Sequence, residues 1–395
     1  MSSLKYWVWL SSAKGIKADK IEKLINHFGS PENIYATKKA DLAGLGILSK
    51  REEEALSDKR LDRADKILIN CDRMHIRILT ITDSDYPDRL KNIYAPPAVL
   101  YVCGQMPHFD DEVAVAVVGT RKATAYGRVA ASELAYNLAK GGALVVSGMA
   151  RGIDSAANMG AIRAGRPTVA VLGCGSDICY PRENRQLKLD IEATGATITE
   201  YPPGTEPYRE NFPERNRIIS GLCLATVVVE APNRSGSLIT ADLANEQGRD
   251  VFVVPGNIDN AQYQGSNSLI KDGARLITSA DDILSEYREL FPHKILSMPE
   301  KIVKDSVLSY EERTPVKAAY EKREEGTKTK EHKMPDGLSE SGKKIFEALS
   351  HGEKHIDKLI EETGMTAGEM LSALTMLEII KVVRQKPGKI FEIID

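Results

Sequence analysis

Near-continuous apolar runs separated by helix-length segments constrain this chain more than any other feature. They read "IRILTIT" (76–82), "AVLYV" (98–102), "VAVAVVG" (113–119), "ALVVSG" (143–148), "TVAVLG" (168–173), "ATVVVE" (225–230) and "VFVVPG" (251–256). A strand that is apolar at nearly every position is covered on both faces, the mark of a parallel sheet between helices. Parallel neighbours need crossover connections, and helical patterns at 126–140 and 152–164 supply them. Region 75–290 is therefore expected to be α/β, an extended Rossmann-like, doubly wound, mostly parallel sheet. Ligands of such sheets sit beyond the carboxyl ends of the strands.

The flanks differ from this centre. Residues 1–70 carry helical spacing, as in "IKADKIEKLINHF", and a Leu-Ala-Gly-Leu-Gly turn at 42–46. This predicts a helix-hairpin-helix or sterile-alpha-motif-like domain, whose glycine turn is a candidate phosphate donor. Residues 291–335 lose periodicity and mix both charge signs, as a solvated linker does. Residues 336–395 read as three helices followed by two strands around Lys-Pro-Gly, a winged helix. Its recognition helix, 366–380, carries Glu369 and Glu378 and no Lys or Arg, whereas Lys381, Arg384, Lys386 and Lys389 make the wing basic. That pattern favours an auxiliary or partner-docking role over sequence-specific duplex reading.

No stretch is long and apolar enough for a membrane span, and the apolar N-terminal run is too short for a signal peptide. Five scattered cysteines without metal-ligand spacing read as reduced thiols of a cytoplasmic protein. Net charge is −3, so any nucleic-acid surface must be local.

The strand ends carry the chemistry. Gly119-Thr120-Arg121 follows one strand, Ser147-Gly148 and Arg151-Gly152 the next, Asn184-Arg185 a third, and Ser235-Gly236-Ser237 with Thr240 a fourth. Glycine permits close backbone approach, helix N-termini offer N–H groups, and arginine matches phosphate oxygens. Between 112 and 290 there are 18 basic residues, 14 of them Arg, a bias that anion recognition explains and a solvated surface does not. The loops lack the G-x-G-x-x-G spacing of a dinucleotide site and the G-x-x-x-x-G-K-[ST] of a triphosphate site. No histidine falls between His108 and His293, and no metal cluster is visible. A mononucleotide or a string of nucleic-acid phosphates remains open. Tyr126, Tyr180 and Phe212 are candidate base-stacking partners, although Phe212 is rather expected in the core.

The motifs "VAVVGTR", "SGMARGIDSAA", "YPRENRQL", "YPPGTEPYRENFPERNRIISGL", "VVVEAPNRSGSLITADLANEQGRDVFVVPG" and "GSNSLIKDGA" resemble the DNA-processing protein DprA (Smf) family over at least residues 85–290. The resemblance implies a single-stranded DNA-binding protein, without catalysis or cofactor. It implies protection of incoming strands in natural transformation, loading of a RecA-type recombinase, and homodimerisation through the Rossmann domain. It assigns DNA contact to Gly119, Thr120, Arg121, Ser147, Gly148, Arg151, Gly152, Asn184 and Arg185. From "PERNRII" it adds the Arg-Asn-Arg motif, Arg215, Asn216 and Arg217, then Ser235, Gly236, Ser237 and Thr240, and Lys271 from the last motif. Thr120 stands where the family more commonly has Ser; the basic position of the family's Tyr-Pro-x-x-Asn motif, Lys in some relatives, best matches Arg185, with Arg182 as the alternative. A second reading is a nucleotide-processing enzyme related to nucleoside-monophosphate phosphoribohydrolases, but the glutamate those enzymes place soon after the threonine is displaced here to Glu246 or missing.

Overall fold

The computed structural model describes residues 3–295, 338–350, 354–380, 382–386 and 390–393. It divides into two compact units, residues 1–303 and 304–395.

In the first unit, nine strands form one sheet in the order β1-β2-β6-β5-β4-β3-β7-β8-β9. They are β1 Arg77–Thr80, β2 Val99–Gly104, β3 Ala114–Val118, β4 Leu144–Ser147, β5 Thr168–Val171, β6 Ala196–Thr199, β7 Ala225–Val228, β8 Asp250–Val253 and β9 Arg275–Leu276. Strands β3 to β9 pair in parallel; β1–β2 and β2–β6 are antiparallel. β3 lies between β4 and β7, so the connections leave it in opposite directions, and a crevice opens at its carboxyl end.

The period of two explains why β3 is central. Val115 and Val117 join one apolar cluster with helices α8 (Ala125–Lys140) and α9 (Ile153–Arg163), while Ala114, Ala116 and Val118 join another on the opposite face. All five side chains are buried. Each buried valine contributes about 1.5–3 kcal/mol relative to exposure. The other helices of the unit are α1 Ser3–Ser11, α2 Ala18–Phe28, α3 Pro31–Ala36, α4 Lys39–Ala43, α5 Lys50–Ser57, α6 Asp62–Arg73, α7 Asp88–Lys91, α10 Arg185–Thr194, α11 Asn211–Gly221, α12 Gly236–Glu246, α13 Gln264–Lys271 and α14 Asp281–Tyr287.

Helices α1 to α6 gather Trp7, Trp9, Leu24, Ile34, Leu42 and Leu56 into a core that also takes Val99 and Tyr101 from β2. Ser49 and Glu52 close a capping box on α5. The glycine turn after α4 does not present donors to a ligand: Gly44, Leu45 and Gly46 direct their N–H groups to Ala40, Leu42 and Ala43. The phosphate-donor expectation for that turn is therefore corrected. β6 and β9 are strands that the apolar runs do not announce. β6 alternates Ala-Thr-Ile-Thr, and its buried hydroxyls are satisfied locally, Thr199 Oγ1 donating to Cys174 O at 2.9 Å. β9 is two exposed residues long.

The second unit has helices Glu340–Leu349, Ile356–Thr363 and Ala367–Ile379, and strands β10 Lys354–His355, β11 Val383–Lys386 and β12 Ile390–Ile393 in the order β10-β12-β11. Ile345, Phe346, Leu359, Leu374, Val383 and Phe391 fill its core. Glu369 forms a capping box with Thr366, which holds its carboxyl below the ordinary range. Arg384 pairs with Glu392 at 2.6 Å. Lys381, Lys389 and 296–335 of the expected linker lie outside the described residues.

Candidate nucleic-acid interface

The crevice beyond β3 holds a cavity of about 450 Å³. Its floor and walls come from the segments after β3 (Gly119, Thr120, Arg121), β4 (Ala150, Asp154), β5 (Tyr180), β6 (Arg209, Phe212, Arg215, Asn216) and β7 (Arg234, Ser235, Gly236, Ser237, Thr240). Four arginines thus face one carboxylate. Arg121, Arg209 and Arg234 are exposed and have no carboxylate within 4.0 Å among the described residues. Ser235 caps α12, accepting from Ser237 N–H, and Ser235, Gly236 and Ser237 place that helix start, with its positive dipole end, on the cleft wall.

Close packing builds the loop after β3. A Cβ on Gly119 would stand 2.5 Å from Ile153 Cγ1 and 2.9 Å from Glu230 O, so only glycine fits. Thr120 N–H donates to Glu230 O at 2.7 Å, and Thr120 Oγ1 accepts from Lys122 N–H at 3.2 Å. The guanidinium of Arg121 lies over the Phe212 ring, 4.8 Å from its centroid. Such stacking orients the cation and leaves its N–H edge for oxygen ligands.

Beneath it sits Arg215, 3% exposed. Its Nη1 donates to Gly148 O at 2.9 Å and also to Val171 O. Both acceptors are neutral carbonyls at strand ends, and Arg215 Nε has no partner. Asp154 is 6% exposed; burial pushes its carboxyl above the ordinary range, opposed by the positive charge of Arg215. Burial likewise lowers Arg215, with Asp154 opposing. A buried guanidinium held by carbonyls keeps its field unneutralised at contact, which suits an anion above it.

Two comparisons decide what kind of protein presents this cleft. The family model described as DNA recombination-mediator protein A matches residues 77–288, and that of the DprA winged helix domain matches residues 330–389. The chain belongs to the DprA family. Protein Smf of Synechocystis sp. is 34% identical over 394 residues, 98% of each chain. DNA processing protein DprA of Bacillus subtilis is 42% identical over 54% of this chain and 72% of its own. The X-ray structure of DprA from Streptococcus pneumoniae superposes with a TM-score of 0.62 at 34% identity, covering 71% of this chain and 97% of that one.

The DprA-type residues divide by place. Gly119, Thr120, Arg121, Asn216, Ser235, Gly236, Ser237 and Thr240 converge on the cleft. Ser147, Gly148, Gly152 and Asn184 build its support. Ser147 Oγ donates to Val117 O at 2.7 Å, and Asn184 Nδ2 to Met149 O and Ser155 Oγ, each at 2.8 Å. A Cβ on Gly148 would stand 2.6 Å from both Arg215 Nη2 and Asp154 Oδ2. Four expected contacts do not line the cleft. Arg151 is exposed and paired with Glu183, Arg185 is exposed at the start of α10, and Lys271 is exposed at the end of α13. Arg217 forms a largely buried pair with Glu200 at 2.6 Å, on the other side of α11. Phe212 is corrected from core to cleft wall, its ring half-buried between Arg121 and Tyr180.

Arg209 and Arg234 are cleft arginines outside the motif positions that the family resemblance carries over, whereas Arg215 is the first residue of its Arg-Asn-Arg motif. Arg215 carried a signal: with Ile218, Ile219 and Leu222 it falls at helical spacing, and all four are buried. Arg217, two residues on, is turned about 200° around the helix. Among the described residues there is no group of His, Cys, Asp and Glu that could hold a metal, and no helix long and apolar enough to cross a membrane.

Proposed function

We propose that the chain binds single-stranded DNA in the strand-end cleft, protects incoming strands and delivers them to a RecA-type recombinase. The observation that carries this reading is the cleft's charge: four arginines against one buried carboxylate, with an unpartnered donor on Arg215. Phosphates are the anion such a row of forks and helix N–H groups fits. Tyr180 and Phe212 on the wall offer faces to bases, which only an unpaired strand leaves unstacked. The family description as a recombination mediator supports the recombinase step.

A binder rather than a catalyst is the better reading. Asp154, the one carboxylate of the cleft lining, is buried and accepts from Ala150 N–H, a poor posture for proton transfer to a ligand. Homodimerisation through the Rossmann domain is part of the same proposal. It is supported by the edge strand β9 with half-exposed Leu276 and by exposed Leu290. Sedimentation at micromolar concentration tests it.

The main test is fluorescence anisotropy of labelled oligothymidine across salt. Binding is expected to fall steeply with salt and to weaken in Arg121→Ala. Equal low-salt affinity of wild type and Arg121→Ala would refute the cleft as the site. Recombinase delivery is tested by joint-molecule formation on strands pre-coated with single-strand-binding protein, with and without the chain.

A further inference from the structure

We infer that a second cavity, across the residue 119–124 loop from the arginine cleft, takes an unstacked nucleobase of the strand whose phosphates occupy that cleft. The inference rests on the single-strand reading above and adds a base site to it. The cavity measures about 380 Å³ and is walled by Thr124, Tyr126, Pro255, Asn257, Asn260 and Tyr263. Its lining contains no Lys, Arg, Asp or Glu, so it offers no charge to neutralise a phosphate. It offers instead what a base requires: an aromatic face and neutral hydrogen-bond donors.

The aromatic face is Tyr126, 61% exposed in the first turn of α8. Its ring meets Tyr263 edge-on, with centroids 6.3 Å apart. Tyr263 is itself buried and fixed, its hydroxyl 3.1 Å from Glu230 Oε2 and 3.3 Å from Thr124 Oγ1. The exposed ring therefore stands on a rigid support. The donors are the amides of Asn257 and Asn260. Each closes a local turn with its side-chain oxygen: Asn257 Oδ1 accepts from Asp259 N–H and Asn260 Oδ1 from Gln262 N–H, both at 3.0 Å. Those bonds orient the two amides and leave their NH₂ groups as donors. Every base presents ring-nitrogen or carbonyl acceptors at its edge.

Geometry joins the two sites. Arg121 lines the first and Thr124 the second. They are three positions apart in the chain, so their Cα atoms are at most about 11 Å apart. Exposed Arg121 and Lys122 crown the ridge between. A backbone crossing that ridge keeps its phosphates on the cationic side and can turn a base into the neutral side.

The test uses the full chain with two probes, oligothymidine and an abasic strand of equal length. Tyr126→Ala is expected to weaken oligothymidine binding about 5- to 150-fold, the range for losing one stacked base. The dependence on salt is expected to keep its slope, because no charge is removed. Tyr126→Phe, which keeps the ring, is expected to bind as wild type. On the abasic strand Tyr126→Ala and wild type are expected to bind equally. Unaltered oligothymidine binding by Tyr126→Ala overturns the inference, as does an equal loss on the abasic strand. If Arg121→Ala weakens binding while Tyr126→Ala does not, the base site falls and the cleft stands. If the wild type binds neither strand, both fall.

Discussion

Helix α11 separates two cavities that a search by size would rank the wrong way round. On one side lies the cleft of about 450 Å³ with Arg215 beneath it. On the other lies a cavity of about 600 Å³ between the N-terminal helices and the sheet, lined by Ile16, Tyr94, Val99, Leu243 and Arg217. Both contain an arginine of the same short motif. In the larger cavity the cations already have carboxylates: Arg217 with Glu200, and Lys17 with Glu214 at 2.6 Å, which raises Lys17 above its ordinary value. In the smaller one Arg215 is held by carbonyls, and three exposed arginines have no carboxylate in contact among the described residues. What distinguishes a site for an anion is charge without a partner, not volume.

The largest effect is expected from Arg215→Met. It leaves two strand-end carbonyls without their donor and removes the positive charge that opposes the burial of Asp154, so urea unfolding should show a loss of about 1–3 kcal/mol. Oligothymidine binding by the protein that remains folded should fall at least as far as in any exposed-arginine variant. Retained binding would break the comparison at its root.

Next come Arg121→Ala and Arg234→Ala. Each removes one charge-assisted contact, so affinity should drop about tenfold or more with an unchanged unfolding curve. The slope of log affinity against log salt should flatten by about 0.7 per arginine if each engages one phosphate. An unchanged slope would mean the arginine faces no phosphate.

The opposite side of the helix gives the control. Arg217→Met strips Glu200 of its cation and should destabilise the fold, whereas Arg217→Met with Glu200→Leu should restore stability, since a buried pair is replaceable by apolar groups. The folded double variant should bind oligothymidine within about twofold of wild type. A large loss would place Arg217 back among the contacts. Smallest of all is Arg151→Ala: its exposed pair with Glu183 should leave unfolding and DNA binding alike superimposable on wild type.

The same helix shows how far the sequence could be read. Strands apolar on both faces are legible because burial dictates composition, and β3 obeys that rule at every residue. The strand-end loops were legible as a group for the same topological reason. Which arginine of Arg215-Asn216-Arg217 enters the cleft depends on helical phase, and a motif names residues without a phase. The spacing of Arg215 to Ile218, Ile219 and Leu222 held that information. Phe212 was misplaced because an aromatic residue beside a buried helix face reads as core until the cation that stacks on it, Arg121 from a distant loop, is placed. β6 is not legible because threonines with satisfied hydroxyls bury as readily as valines, and composition alone does not show that Thr197 donates to Glu192 Oε1 and Thr199 to the Leu172 and Cys174 carbonyls.

Glu230 connects the two sides of the ridge. It is fully buried at the end of β7; its carbonyl oxygen accepts from Thr120, and its carboxylate accepts from Thr124 Oγ1 at 2.8 Å and from Tyr263. A Cβ on Gly127 would stand 1.8 Å from that carboxylate. One residue, through its backbone carbonyl and its carboxylate, thus ties the floor of the arginine cleft to Thr124 and Tyr263 of its neutral neighbour. The consequence is mechanical: a displacement of Glu230 would disturb the anchors of Thr120, Thr124 and Tyr263 together.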